Sequence, residues 1–263
     1  MICLFLGETD FPKIVLKKIK KIKVKYFIID LSKKKIFKKN KNSYYFSIGQ
    51  FGKIINLIKE KKCNKVIFAG KINKPNLTKV RFDLKGLYYL PKLINASKLG
   101  DAEILKLIIR ILEKEKIKVI SSNFYNMDLT LKKNIYTKVF PSLTDLKNIK
   151  LGINELSSIN PNNHVQGLIV DNMKIIAKET LKGTKKMIMG IKKKFKTKPI
   201  LIKFPKKNQD TRIDLPTIGY DTLKDCQKSG IKGIVLKSKK NIFIDKKKAI
   251  NFANKNKIFI IVV

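Results

Sequence analysis

The chain has 263 residues and 44% apolar side chains, enough to fill one large core or two ordinary ones, which excludes a globally disordered polymer. Its 60 lysines and arginines face 19 aspartates and glutamates, a formal net charge of +41. A balance this basic implies attraction to polyanions: nucleic acid, an anionic membrane leaflet or phosphorylated substrates. Much of the lysine is also what an AT-rich genome would encode, because Ile and Asn are abundant beside it and Trp is absent. The better reader of grooves and phosphates is arginine, and the three arginines (Arg81, Arg110, Arg212) are scattered, so nucleic acid is not among the expected partners. Cys3, Cys63 and Cys226 are odd in number, far apart and without CxxC spacing. They make neither a zinc site nor a disulfide framework and read as small core residues of a reducing cytoplasm. No apolar run approaches 18 residues, so neither a membrane span nor a signal-peptide core is expected.

The N-terminal half alternates strand and helix. Ile2 to Leu6 is an apolar strand ending at Gly7, followed by a helix over about Phe11 to Ile22. Lys25 to Asp30 and Tyr44 to Ile48 read as strands. Gly49-Gln50-Phe51-Gly52 opens a helix to about Lys62, and Lys65 to Gly70 is a further buried strand. Leu87 to Leu99 and a segment from Asp101 are helical, the latter with Ile104, Leu105, Ile108, Ile109 and Leu112 on one face. Lys118 to Ile120 is a strand, and Asn123 to Lys138 is polar and irregular, a candidate linker. Such alternation predicts a Rossmann-like parallel sheet covered by helices over 1–135.

The C-terminal half, 136–263, reads as a mixed α/β domain. Ser142-Leu143-Thr144-Asp145 has capping-box spacing and starts a helix to about Leu156. Asn160-Pro161-Asn162-Asn163 is a turn. Val165 to Val170 and Met173 to Glu179 form a hairpin, and Gly183-Thr184 opens a helix to about Phe195. The strand Pro199 to Lys203, a helix at Leu223 to Ser229 and the strand Gly233 to Leu236 complete the pattern.

Several residues stand out chemically. Gly7-Glu8-Thr9 sits where a dinucleotide fold carries GxGxxG, but the later glycines are missing, so a plain strand-to-helix turn is the better reading. Gly70-Lys71 with Pro75, and Arg81 to Gly86, lie after a strand's carboxyl end, where open α/β sheets bind ligands; by spacing alone they are surface loop. Gly100-Asp101 reads as an aspartate-capped helix start, and His164, the lone histidine, as a turn residue. Glu179 ends an apolar strand, where it ligates metal or pairs with a lysine; Gly183-Thr184 is a phosphate-binding helix start or a cap. The richest stretch is Gln209-Asp210-Thr211-Arg212-Ile213-Asp214-Leu215-Pro216-Thr217-Ile218-Gly219. Carboxylates bind a hard cation and a guanidinium clamps phosphate oxygens, so a phosphate-processing site needs both. If the stretch is extended, Asp210, Arg212 and Asp214 share one face, which reads as a site or as a salt-bridged strand edge.

With those residues in view, the chain resembles the UDP-2,3-diacylglucosamine pyrophosphatases of lipid A biosynthesis, the LpxI type. The matching stretches are Ile48 to Lys53, Phe68 to Ile72 with Pro75, Asp83 to Gly86 with Leu90-Pro91-Lys92, Gly100 to Glu103, Gly183-Thr184 and, most specifically, Gln209 to Gly219. The resemblance implies two α/β domains joined by a linker and hydrolysis of UDP-2,3-diacylglucosamine to UMP and 2,3-diacylglucosamine 1-phosphate (lipid X). It implies Mg2+ or another divalent cation as cofactor, and water attack on the phosphorus at the sugar side. It nominates Asp214, Asp210 and Arg212 as catalytic, and Asp214, Asp210 and Glu179 as metal ligands. Substrate contacts are expected from Gly70, Lys71, Lys85, Gly183, Thr184, Lys203, Gln209 and Thr217. Two departures are visible: the family's N-terminal glycine cluster is reduced to Gly7, and its EGTD reads Lys182-Gly183-Thr184-Lys185.

The expected partners are thus the substrate, the cytoplasmic leaflet of the inner membrane and a second copy of the chain in a homodimer. Each lysine near an anionic surface is worth ~1 kcal/mol, enough in sum to hold a cytoplasmic enzyme peripherally on the membrane. The rival readings are a non-catalytic nucleotide-sugar or lipid-binding relative and, behind it, a basic nucleic-acid-binding protein.

Overall fold

The computed structural model describes residues 1–71, 80–160, 165–191, 197–206 and 209–263, without the side chains of Asp101 and Ala102. Ile72, Pro75, the turn at 161–163, His164 and the helix end at Phe195 lie outside the described residues. The chain forms two compact units, Met1–Asn126 and Met127–Val263. The sequence reading places the boundary after residue 135, but Ile135 already pairs with Ile261 in the C-terminal sheet. The chain therefore joins that unit inside the stretch read as a linker.

In the N-terminal unit the order is β1 (Ile2–Leu6), α1 (Phe11–Lys21), β2 (Tyr26–Asp30), β3 (Ser43–Tyr44), α2 (Phe51–Glu60), β4 (Lys65–Ala69), α3 (Leu84–Leu99), α4 (Asp101–Lys114) and β5 (Lys118–Ile120). The strands make one parallel sheet in the order β3-β2-β1-β4-β5. β1 is apolar at every position because a parallel sheet is covered on both faces. Leu4 and Leu6 face Val15, Leu16 and Ile19 of α1, while Phe5 stacks on Phe68 of β4 at 4.7 Å. The strand expected over Tyr44 to Ile48 is shorter: the Ser47 N–H binds Oε1 of Gln50 and the Gln50 N–H binds the Ser47 carbonyl, which turns the chain into α2.

Two of the glycine-bearing stretches prove to be one joint. A Cβ on Gly86 would lie 1.8 Å from the Gly49 carbonyl oxygen, so the start of α3 reaches the loop before α2 only through glycine. Asp83 clasps the joint: Oδ1 accepts the Gly86 N–H at 2.8 Å, and Oδ2 accepts the Lys53 N–H at 2.8 Å. One carboxylate thereby caps two helices. At the next helix start, Gly100 occupies the N-cap position and Asp101 is the first helical residue, one place later than the aspartate cap expected.

The C-terminal unit runs through a 3-10 turn (Met127–Leu129), β6 (Asn134–Ile135), α5 (Leu143–Ser158), β7 (Gly167–Asp171), β8 (Lys174–Lys178), α6 (Gly183–Met189), β9 (Ile200–Lys203), β10 (Thr217–Gly219), α7 (Tyr220–Lys228), β11 (Gly233–Leu236), β12 (Ile242–Ile244), α8 (Lys246–Lys255) and β13 (Phe259–Val262). The main sheet has the order β6-β13-β11-β9-β7-β8, parallel through β13, β11 and β9 and antiparallel outside them. β10 and β12 make a separate parallel pair. Alternation sorts the side chains: Leu168, Val170, Ile200, Ile202 and Val235 bury one face with Ile149 of α5. Ile169, Leu201, Ile234 and Leu236 bury the other with Ile188 of α6, Leu223 of α7 and Ala253 of α8. The capping box forms as read, with Asp145 N–H on Ser142 Oγ at 3.2 Å and Ser142 N–H on Asp145 Oδ2 at 3.0 Å. Both units are α/β, the N-terminal one parallel and the C-terminal one mixed. All three cysteines are buried and free. No described helix is long and apolar enough to cross a membrane.

Candidate active site

The chemistry gathers at the carboxyl end of β9. Lys203 is the strand's last residue and, two places after Leu201, points to the same side of the sheet, toward the helices α6 to α8. The residue is only 4% exposed. Nζ donates to Oε1 and Oε2 of Glu179 at 2.9 and 2.8 Å, and to Oγ1 of Thr184 at 2.6 Å. Thr184 in turn donates to Glu179 Oε1 at 2.5 Å. A lysine and a carboxylate taken from water lose several kcal/mol of hydration each, which only close geometry and further hydrogen bonds restore. Here every donor of that ammonium has an oxygen. Burial pulls the Lys203 ammonium below the ordinary lysine range, against the opposing pull of Glu179 and Asp214. Asn241, 2% exposed, fixes the backbone of the same corner: Nδ2 donates to the Lys203 carbonyl at 3.0 Å, and Oδ1 accepts the Lys237 N–H at 2.9 Å.

The segment after β9 is a turn rather than a strand. The N–H groups of Ile213 and Asp214 both bind the Asp210 carbonyl, at 3.2 and 3.1 Å. Asp210 Oδ1 also accepts the Arg212 N–H at 3.0 Å, the side-chain turn that aspartate favours. The expected alternation of Asp210, Arg212 and Asp214 on one extended face is thereby replaced. Asp210 and Arg212 pair with each other, Nε at 3.0 Å and a terminal nitrogen at 2.7 Å. Asp214 is held by Gln209, whose Nε2 donates to Asp214 Oδ2. Gln209 is itself oriented, since its Oε1 accepts from Gln166 Nε2 at 3.0 Å and from the Lys206 N–H at 2.9 Å. Asp214 is exposed to solvent on one side, and the protein crowded on the other still desolvates the carboxyl and raises it above the ordinary aspartate range. The Gln209 amide and the charges of Lys206 and Lys203 oppose that rise.

Of the residues named from the sequence, Glu179, Thr184, Lys203, Gln209 and Asp214 form this one neighbourhood. Gly183 opens α6 with φ +82, and Lys182 and Lys185 on either side of Gly183-Thr184 are exposed. The two lysines of that departure therefore leave the buried Glu179–Lys203 pair untouched. Thr217 is exposed at the start of β10, its hydroxyl on the Leu215 carbonyl at 3.3 Å. In the N-terminal unit, Gly70 and Lys71 follow β4, and Gly7 and Glu8 follow β1. These adjacent strands mark the reversal of strand order, where an open sheet leaves its crevice. Lys71 and Glu8 bridge the two loops by backbone hydrogen bonds of 2.8 and 3.2 Å. Gly70 has φ +85, and a Cβ there would meet the Glu8 carbonyl at 2.4 Å. Lys85 is engaged inside its own unit by Glu115, which also binds Lys59 at 2.5 Å.

Among the described residues, no three of the Asp, Glu, His and Cys side chains converge to hold a metal ion. Glu179 is occupied by Lys203 and Thr184, and Asp210 by Arg212. Asp214 accepts an uncharged amide and opens to solvent. Sequence reasoning does not find Gln166, Lys206 or Asn241. Gln166 lies one residue before β7 and carries no motif, and Asn241 lies in a short turn before β12; each matters only through the fold.

The family models of the LpxI N-terminal domain and the LpxI C-terminal domain match residues 1–129 and 132–261. A protein from Caulobacter vibrioides named UDP-2,3-diacylglucosamine pyrophosphatase LpxI is 29% identical over 222 residues, 81% of this chain and 79% of the relative. The two matches meet within a few residues of the division between the compact units, and the chain belongs to the LpxI family.

Proposed function

We propose that this protein is an enzyme that hydrolyses the pyrophosphate bond of UDP-2,3-diacylglucosamine, giving UMP and lipid X. Family membership and the name of the Caulobacter relative support the reaction. The observation that carries the site is Asp214, a carboxylate raised by desolvation, oriented by Gln209 and neighboured by Lys203 and Lys206. A base works best when its proton affinity approaches the working pH, and desolvation moves Asp214 in that direction. Asp214 takes a proton from a water directed at the phosphorus nearer the sugar. The bond from that phosphorus to the bridging oxygen breaks, UMP leaves, and the new oxygen stays on the sugar phosphate. Lys206 and Lys203 offset the charge gathering on the phosphoryl oxygens, and Arg212, held by Asp210 in the same turn, is the candidate to clamp a phosphate.

The family implies Mg2+ or another divalent cation. Magnesium characteristically takes one or two carboxylates and completes its shell with water and substrate phosphate, so Asp214 suffices as its protein anchor, with Asp210 as the second candidate. Such a cation would neutralise pyrophosphate charge. Glu179 is better assigned to holding Lys203 than to holding metal. Each unit keeps its own candidate substrate contacts in this reading: Gly70 and Lys71 at the reversal of strand order in the N-terminal unit, and Gly183, Thr184 and Thr217 in the C-terminal one. The protein works in the cytoplasm on the inner leaflet, where a diacylated substrate resides.

The test is incubation of the protein with UDP-2,3-diacylglucosamine, with and without magnesium, followed by mass spectrometry. UMP and lipid X appearing together, faster with magnesium, is the expected result. Retained substrate without either product would instead favour a binding relative that has lost turnover.

A further inference from the structure

Helix α3 carries an outward face on which four large apolar side chains are exposed along one element. Tyr89, Leu93 and Gly86 bury its inner side, Tyr89 meeting Phe51 of α2 edge-on at 6.3 Å. On the opposite side Leu84 is 87% exposed, Leu99 76%, Tyr88 69% and Leu87 52%. At 100° per residue, Leu84, Leu87, Tyr88, Pro91 and Leu99 fall on one stripe. Lys92 borders it, Asn95 and Lys98 interrupt it in the last turn of the helix, and Lys92 lies over the rings of Tyr88 and Tyr89 at 5.9 Å each. Lysines that lay their stems along apolar surface and hold their charge at its rim suit a boundary between hydrocarbon and phosphate. By contrast α1, with Lys13, Lys17, Lys18, Lys20 and Lys21, carries lysine around its buried Val15, Leu16 and Ile19.

We infer that the α3 face is a docking surface for an anionic lipid bilayer, its leucines and Tyr88 entering the acyl boundary and its lysines meeting the headgroups. Charge selects this occupant. A chain with net charge +41 is drawn to an anionic surface over all its faces, and repels a second copy of itself. Charge alone gives binding without orientation; an apolar stripe rimmed by lysine gives both. The inference deepens the membrane association proposed above but does not depend on the hydrolytic reaction.

The test is cosedimentation with vesicles of phosphatidylglycerol and phosphatidylethanolamine, compared with phosphatidylcholine alone. The variant is Leu84→Gln with Leu87→Gln and Leu99→Gln, which leaves net charge unchanged. The wild type should bind the anionic vesicles, and the variant at least tenfold more weakly while melting at the wild-type temperature. Equal binding by wild type and variant overturns the inference and leaves lysine charge as the whole cause. A lipid-free dimer that the variant dissociates, with vesicle binding unchanged, assigns the face to a second copy. Slower hydrolysis of detergent-dispersed substrate with vesicle binding intact assigns it to the substrate's acyl chains. Should the wild type hydrolyse nothing yet bind vesicles through α3, the docking surface stands and the catalytic reading falls.

Discussion

Asp83 in the N-terminal unit and Asp214 in the C-terminal unit lie in short motifs of similar appearance, DLKG and RIDLP, yet their carboxyls are pushed in opposite directions. Desolvation acts on both. At Asp83 it is outweighed by backbone N–H groups of Lys53, Gly86 and Gly52, which hold the carboxyl below its ordinary range. At Asp214 one amide and two lysine charges do not offset it, and the carboxyl rises. The first aspartate is spent on folding, because its hydrogen bonds favour the ionised form of the native state. The second is held in its ionised form at a cost, the usual condition of a group kept for chemistry. A motif match alone does not distinguish the two; their hydrogen-bond partners do.

The largest effect expected from this contrast is on turnover. Asp214→Asn should lower kcat by roughly a hundredfold to ten-thousandfold, the range of a lost general base. Retention of wild-type turnover would make Asp214 a structural residue like Asp83. Next in size is Lys203→Met, which leaves Glu179 buried without its cation. A broken buried ion pair costs about 3–5 kcal/mol, readable as a lower urea midpoint. Adding Glu179→Leu should restore much of that stability without restoring activity, since the apolar pair satisfies burial but not chemistry.

The N-terminal joint gives smaller effects. Gly86→Ala places a methyl 1.8 Å from the Gly49 carbonyl, and the required backbone shift should cost about 1–3 kcal/mol. Asp83→Ala removes the caps of α2 and α3 and should cost about 1–2 kcal/mol while sparing turnover on detergent-dispersed substrate. The two aspartates also differ in sign with pH. Asp83 has a depressed native carboxyl, so its contribution is present above the unfolded value near 3.8 and is lost as pH falls through the native one. Asp214 has a raised one, so its contribution is present below 3.8 and is lost as pH rises through the native value. Asp214→Asn should therefore melt above wild type at pH 7, and the difference should vanish in acid.

Much of the fold is legible because parallel strands such as Ile2 to Leu6 are apolar at every position, and helices such as α4 repeat at helical spacing. What escapes is short or marked by small residues, and with it β13, apolar at all four positions yet not read as a strand. β12 is three residues long, and α8 buries only Ala249 and Ala253 amid lysines, so neither carries a strong period. At the site, alternation puts Asp210, Arg212 and Asp214 together, whereas the Asp210 carbonyl gathers two N–H groups and turns the chain, sending Asp214 to Gln209. Lys203 reads as the polar end of a strand; only the fold brings Glu179 and Thr184 to it from elements that precede it by about 20 residues.

The most direct test measures turnover of UDP-2,3-diacylglucosamine and thermal melting side by side for wild type, Asp214→Asn and Asp83→Ala at pH 7. Asp214→Asn should lose hydrolysis and melt higher, while Asp83→Ala should melt lower and still hydrolyse. Full turnover by Asp214→Asn, with the wild type active, would contradict the assignment of the catalytic centre to the carboxyl end of β9.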